Sequence, residues 1–200
     1  MKTSNYLEPE RLIKLQQKTW EIATAHGWHE KPISPEHYCG LIMTEMSEAV
    51  EADRNGRRAR TDMMADVMNT QAESEIGLIQ QWYETWFTVY YKEYVKGSIE
   101  EEFADVVIRV LDMAQEIHGN KMKWSGFYPF GLVYMENKSF IENSWCFIRD
   151  VLNWGTMNIS DCVSFMFDWA QDLGIDLWQH IEWKMKYNEL RPYKHGGKKY

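Results

Sequence analysis

"LIMTEMSEAVEADR", residues 41–54, is the stretch on which the fold turns. Apolar Leu41, Ile42, Met43, Met46 and Val50 read as buried helix. Yet Glu45, Glu48 and Glu51 sit among them, each three residues from the next. A later stretch repeats the arrangement. "EEEFADVVIRVLDMA", residues 100–114, sets Glu102 and Asp105 three apart beside Phe103, Val106 and Val107.

Working outward, the rest of the chain also reads as helix. Leu12, Leu15 and Ile22 share one face over Pro9 to Ala25, Trp20 lies to one side, and Gly27 stops the helix. Ser34-Pro35 opens the second helix as N-cap and first position, and Asn55-Gly56 closes it. Residues 57–97 hold one or two helices, basic at the start and aromatic later. Ser98 to Glu101 is a capping box that opens a helix ending at His118. "WSGFYPFG", residues 124–131, is loop. Asn137 to Asn153 and Ser160 to Leu173 are two more helices. Asp176 caps the last, Leu177 to Leu190, which Pro192 prevents from continuing. No strand pattern survives, so the expected class is all-α. Two hundred residues suit one domain, 1–200.

Composition narrows the function. A net charge of −8 argues against general DNA or RNA binding, which leaves a basic footprint. It does not exclude a nucleotide, because metal ions bridge carboxylates to phosphates. Cys39, Cys146 and Cys162 are scattered and form no CxxC, as expected of a reducing cytoplasm. The first residues lack the apolar run of a signal peptide, and no run approaches the roughly 20 residues that span a bilayer. The expectation is a cytoplasmic protein with no membrane partner.

Carboxylates three apart on a helix project side by side, about 60° apart around the axis. No lysine follows either pair four residues on, although Arg109 follows Asp105 at that distance. Like charges this close repel, and more so in a partly dry groove. Two such helices face to face would offer four carboxylates to one divalent-metal volume, suited to Mg²⁺ or Mn²⁺. The bland alternative is a pair of solvated acidic faces. Glu51, Glu100 and Glu101 read as surface or capping residues. The chain contains neither Glu-x-x-His nor a His-Asp dipeptide, so an oxygen-only site is what remains.

In "HIEWKMKYNELRPYKHGGKKY", residues 180–200, His180, Lys184, Asn188 and Arg191 recur at spacings of four, four and three on one helix face. Ile181, Met185 and Trp178 belong to the opposite, core side. A tail with Lys194, His195, Lys198 and Lys199 follows. The stripe and tail read either as a triphosphate site or as a solvated face and a loose basic terminus.

Taken in order, these segments resemble the MazG-like all-α nucleoside triphosphate pyrophosphohydrolases, the group that includes the dimeric dUTPases. The family pattern is ExxE on one helix and ExxD on a later one. Here those are Glu45-Met-Ser-Glu48 and Glu102-Phe-Ala-Asp105. "HGWHE" and "KMKYNELRPYKHGGKKY" also match in flavour. The resemblance covers about residues 10–60, 98–119 and 175–200, leaving insertions at about 57–97 and 121–172.

Membership would imply Mg²⁺-dependent cleavage of a nucleoside triphosphate between the α and β phosphates, giving monophosphate and pyrophosphate. It would imply metal ligation and catalysis by Glu45, Glu48, Glu102 and Asp105. Lys184, Asn188, Arg191 and His195 become expected substrate contacts, and Arg109 orients the acids or touches phosphate. A homodimer or homotetramer is the family expectation. Trp28 reads as a base-stacking or a core residue. Two other readings stay open: a non-catalytic helical module that binds a nucleotide or protein, and a metal-dependent phosphohydrolase of a non-nucleotide substrate.

Overall fold

The structure is a computed structural model that describes residues 7–72, 77–124, 138–152 and 159–197. It is helical, with no strand among the described residues, so the all-α expectation holds. The helices are α1 (Pro9–Ala25), α2 (Pro35–Arg54), α3 (Thr61–Ala72), α4 (Gly77–Tyr94) and α5 (Ile99–His118), then α6 (Phe140–Leu152), α7 (Ile159–Asp172) and α8 (Leu177–Glu189). A short 3₁₀ turn, Gly119–Lys121, follows α5.

The helix starts follow local chemistry. Ser34 Oγ accepts from the His37 N–H at 3.3 Å, Ser98 Oγ from Glu101 at 3.2 Å, and Asp176 Oδ1 from Gln179 at 3.2 Å. Each satisfies a backbone donor that the first helical turn leaves without a partner. The capping box at Ser98 is shifted at its second bond. The Glu101 carboxylate accepts from the Gly97 N–H rather than from that of Ser98. Residues 57–97 divide into two helices, α3 and α4. The "WSGFYPFG" loop lies outside the described residues except for Trp124, which is buried and donates to Gln16 Oε1 at 2.9 Å.

Helix α5 is the centre. It packs against α1, α2, α7 and α8. From Ile99 to Ala114 every residue except Arg109 is buried. A helix surrounded on all sides must be apolar all round or find a partner for each polar group. Phe103, Val106, Val107, Val110 and Leu111 meet the first condition. Leu12 of α1, Ile42 and Met46 of α2, and Ile181 of α8 belong to the same core.

The insertion expected at 121–172 is no appendage. Its described part supplies Phe147, Phe165, Phe167 and Trp169 to the same core, with α6 against α2 and α7 against α5. Helices α3 and α4 build a second cluster instead. Met64, Val67, Tyr83, Phe87 and Tyr91 pack with Trp183 and Tyr187 of α8. The Tyr91 and Tyr187 rings stack with centroids 4.5 Å apart. No helix among the described residues is long and apolar enough to cross a membrane.

Phe103 carries much of the central packing, with its ring 4.8 Å from that of Trp169 and 5.9 Å from that of Phe140. Phe103→Ala is expected to destabilise the protein by about 3–5 kcal/mol. A urea titration followed by circular dichroism measures it, and a loss under about 1 kcal/mol would place the core elsewhere.

Candidate metal centre

Helix α2 presents Glu45 and Glu48 one turn apart, and α5 packs along it carrying Glu102. One oxygen from each of these three carboxylates lies within 4.8 Å of the other two. Glu45 and Glu102 are buried and Glu48 is exposed, so the group sits at the mouth of the groove. Mg²⁺ binds oxygen at about 2.0–2.1 Å, which keeps its ligands no more than about 4.2 Å apart. Cis ligands of such an octahedral ion lie about 2.9 Å apart, so side-chain movement of up to about 2 Å would bring the three oxygens, now within 4.8 Å of one another, onto one ion.

The electrostatics of the group call for a cation. Glu102 is 4% exposed, and its Oε2 is buried with no hydrogen-bond partner. Burial, then the charge of Asp105, pushes the Glu102 carboxyl up to about 9. Burial and Asp105 push Glu45 up to about 7, against the pull of Arg109. Both acids thus hold protons that a divalent ion would displace.

Asp105, the fourth expected ligand, is paired with a lysine. Its Oδ2 lies 2.6 Å from Lys184 Nζ, which also donates to Glu101 Oε1 at 2.5 Å. The structure brings together three of the four expected acids as a group and leaves Asp105 beside them in the same cavity.

The surface half of the expectation for Glu100 and Glu101 is corrected, since they are 5% and 2% exposed, while Glu101 accepts from the Gly97 N–H ahead of its own helix, as a capping residue would. Each is buried because partners reach it. Arg58 Nε lies 2.5 Å from Glu100 Oε1, and the Ala59 N–H donates to Glu100 Oε2 at 2.9 Å. Glu101 holds Lys184, the Gly97 N–H and the Tyr91 hydroxyl. Glu51 is exposed as expected and pairs with Arg54.

The α8 stripe divides in two. Lys184, Asn188 and Arg191 line a cavity of about 270 Å³ with the acids, while His180 lies away from it. Lys184 is 6% exposed and His180 2%, so the stripe is no solvated face. Burial works against the Lys184 ammonium, but Asp105 and Glu101 outweigh it and raise its pKa. That ammonium is paired with both carboxylates. Arg109 is likewise engaged, its Nε donating to Glu45 Oε1 at 3.0 Å.

Arg191 and Asn188 are different. The Arg191 guanidinium lies 5.7 Å from the Tyr187 ring centroid and enters no ion pair among the described residues. Asn188 Oδ1 is buried without a hydrogen-bond partner. Trp28 and His195 frame the same cavity, their rings edge-on at 5.3 Å.

The segment carrying His195 is tied down. His26 Nε2 lies 2.8 Å from the Arg191 carbonyl, and the Lys194 N–H donates to the His26 carbonyl at 3.1 Å. Glu30 holds both the Tyr193 hydroxyl and Lys194 Nζ. The Tyr193 ring lies where a Cβ on Gly27 would be, and Gly27 has φ +80°, so only glycine fits there. Lys198 and Lys199 lie outside the described residues.

Sequence reasoning missed Asp112, which is buried, lines the cavity and accepts from His29 Nε2 at 3.0 Å and the Tyr38 hydroxyl at 3.4 Å. A signal existed. Glu101, Asp105, Arg109 and Asp112 are spaced four, four and three, the same interval as the stripe on α8. No family model, curated protein or solved structure matches the chain. The geometry of this cavity therefore carries the functional argument.

A pH dependence follows. An unfolded glutamate ionises near about 4.3, whereas folded Glu45 and Glu102 keep their protons to about 7 and about 9. Between those values the native chain binds more protons than the unfolded chain, so its stability falls as pH rises. Burial pushes His180 down to about 4, which acts in the opposite sense below its ordinary value. Above about pH 7 the acids are joined only by Cys39, whose thiol is held by burial above its ordinary range and which acts in the same sense. Metal-free protein is expected to lose stability from pH 7 to 9, by of the order of 1 kcal/mol per pH unit. Glu102→Gln should flatten the slope in thermal melts with EDTA. A wild-type stability that rises over this range would contradict the protonated-acid account.

Proposed function

We propose that the chain is a Mg²⁺-dependent nucleoside triphosphate pyrophosphohydrolase, with Mn²⁺ as a substitute, that converts a ribo- or deoxyribonucleoside triphosphate to its monophosphate and pyrophosphate. The observation that carries this reading is the pairing, in one cavity, of two unmet demands. Glu45, Glu48 and Glu102 bring three carboxylates together with Glu102 Oε2 unpartnered, and Asn188 Oδ1 is buried without a partner beside the Arg191 guanidinium. A metal-bound phosphate chain would meet both. The order of ExxE, ExxD and the C-terminal stripe supports the same choice over a non-nucleotide substrate.

In this reading Glu45, Glu48 and Glu102 hold the ion. When bound, the ion would neutralise phosphate charge and lower the pKa of a water. The protein's own groups do the rest. Arg109 fixes the Glu45 carboxylate through its 3.0 Å bond, so that the ligand does not swing toward solvent. The Arg191 guanidinium presents a fork of donors to phosphate oxygens. Asn188 Oδ1 accepts from a substrate hydroxyl or amine. Trp28 and His195 bound the mouth of the cavity, where a base would lie. The reading includes a cytoplasmic homo-oligomer. Exposed Trp82 and Trp86 on α4, and Ile141 and Trp145 on α6, are apolar faces open to a second copy.

The test is pyrophosphate release from a panel of common dNTPs and NTPs, with Mg²⁺ and with EDTA. Metal-dependent release is expected, reduced at least about 100-fold in Glu48→Gln. Glu48 is exposed, so that substitution leaves the fold intact. Arg191→Ala should raise KM more than it lowers kcat, because its contact is made before the reaction as well as during it. Folded, metal-loaded protein that releases no pyrophosphate from any member of the panel would refute the proposal.

A further inference from the structure

Two positions in the acidic groove call for positive charge, and one of them is already filled from within the chain. Glu45, Glu48 and Glu102 form the first position, with Glu102 Oε2 buried and unpartnered. Glu101 and Asp105 form the second. They sit one turn apart on α5 and grip Lys184 Nζ at 2.5 Å and 2.6 Å. We infer that Lys184 is a built-in counter-cation that occupies the place of a second metal ion, so that the site takes one divalent ion per chain. The inference rests on the metal-binding part of the proposed function and fixes how the metal is counted and what Asp105 does.

The chemistry of the two positions differs. The Lys184 side chain is 7% exposed and those of Glu101 and Asp105 are 2% and 12% exposed. A hydrated divalent ion would have to expel this ammonium from a buried pocket to reach either carboxylate. An amine that is both buried and paired does not leave readily. Glu101 is further committed to the Gly97 N–H and the Tyr91 hydroxyl. Its oxygens thus accept from three donors, two on Oε1 and one on Oε2. At the outer position no lysine among the described residues is paired with an acid, although Lys96 lines the same cavity. The cation that reaches Glu45 is Arg109, and its bond goes to a single oxygen, Oε1. A carboxylate set with a free Oε2 and an exposed third member is one that a soluble ion can enter.

This assignment also separates Asp105 from Glu102, which the ExxD spacing puts on equal footing. Glu102 ligates the ion. Asp105 is a positioning residue, holding Lys184 so that its charge lies beside the ion's own and adds to the attraction for a polyanion.

The experiment is a Mn²⁺ titration of the full chain, with free ion followed by electron paramagnetic resonance. One Mn²⁺ per chain is expected for the wild type, none for Glu48→Gln combined with Glu102→Gln, and two for Lys184→Met, in which Glu101 and Asp105 become free ligands. Thermal melts accompany each titration. A Lys184→Met protein that folds only when Mn²⁺ is added would also support the inference, since the metal would then be replacing the lost ammonium. Two ions in the wild type would overturn it while leaving the metal site in place. A single ion in folded Lys184→Met would overturn it as well. No bound ion in the wild type would overturn this inference and the metal-binding reading together. One bound ion without nucleotide turnover would refute only the hydrolase.

Discussion

A buried carboxylate has few ways to exist, and α5 carries five: Glu100, Glu101, Glu102, Asp105 and Asp112. Taken from water without a partner, each costs several kcal/mol or gives up its charge. Four of them are met by groups from elsewhere in the chain. Arg58 and a backbone N–H serve Glu100, Lys184 serves Glu101 and Asp105, and His29 and Tyr38 serve Asp112. The helix can sit at the centre of the fold only because α2, α8 and the segments after α1 and α2 deliver those partners. Glu102 is the exception, and the cavity opens where it lies. The functional reading begins at the one place where neutralisation from within the protein stops.

The division of packing follows from this. Helices α1, α2, α7 and α8 enclose α5, and α6 rests on α2 outside the acidic face. The two inserted regions then serve opposite ends. Helices α6 and α7 thicken the main core, with Phe147, Phe165 and Trp169 doing what shorter helices would leave to solvent. Helices α3 and α4 pack on the outer side of α8, where the Tyr91–Tyr187 stack and the Tyr91 hydroxyl connect the aromatic cluster to Glu101. The second cluster is thus joined to the acidic network through two tyrosines, Tyr91 by its hydroxyl on Glu101 and Tyr187 by its ring 5.8 Å from Lys184 Nζ.

Much of the fold could be read from the chain because helical periodicity and capping act locally. Ser34, Ser98 and Asp176 cap the helices they were expected to cap, and Leu12, Leu15 and Ile42 are buried as their spacing requires. The grouping of Glu45, Glu48 and Glu102 was legible for the same reason, since a three-residue spacing fixes direction. What was not legible depends on which helix lies opposite. Glu101 reads as a capping residue, and that α8 also places Lys184 against it and against Asp105 cannot be seen from spacing alone. The spacings of the two stripes are equal, four, four and three, but reading one as the complement of the other requires knowing that the helices touch. Gly27 was read as a helix stop. Its closer reason, the ring of Tyr193, comes from the far end of the chain.

The distance along the chain between Lys184 and its partners has a consequence for biosynthesis. Lys184 follows Glu101 by 83 residues. At ribosomal rates of about 5–20 residues per second, roughly 4–17 seconds pass between the synthesis of the two. Throughout that interval α5 has no counter-charge for Glu101 and Asp105, and its apolar sides cannot close over them without trapping bare acid. The nascent chain must therefore keep its central helix wet, or hold these acids protonated, until α8 emerges. A chain stalled before residue 184 would leave Glu101 and Asp105 without Lys184 and the adjoining faces of α5 without the cover that α8 provides.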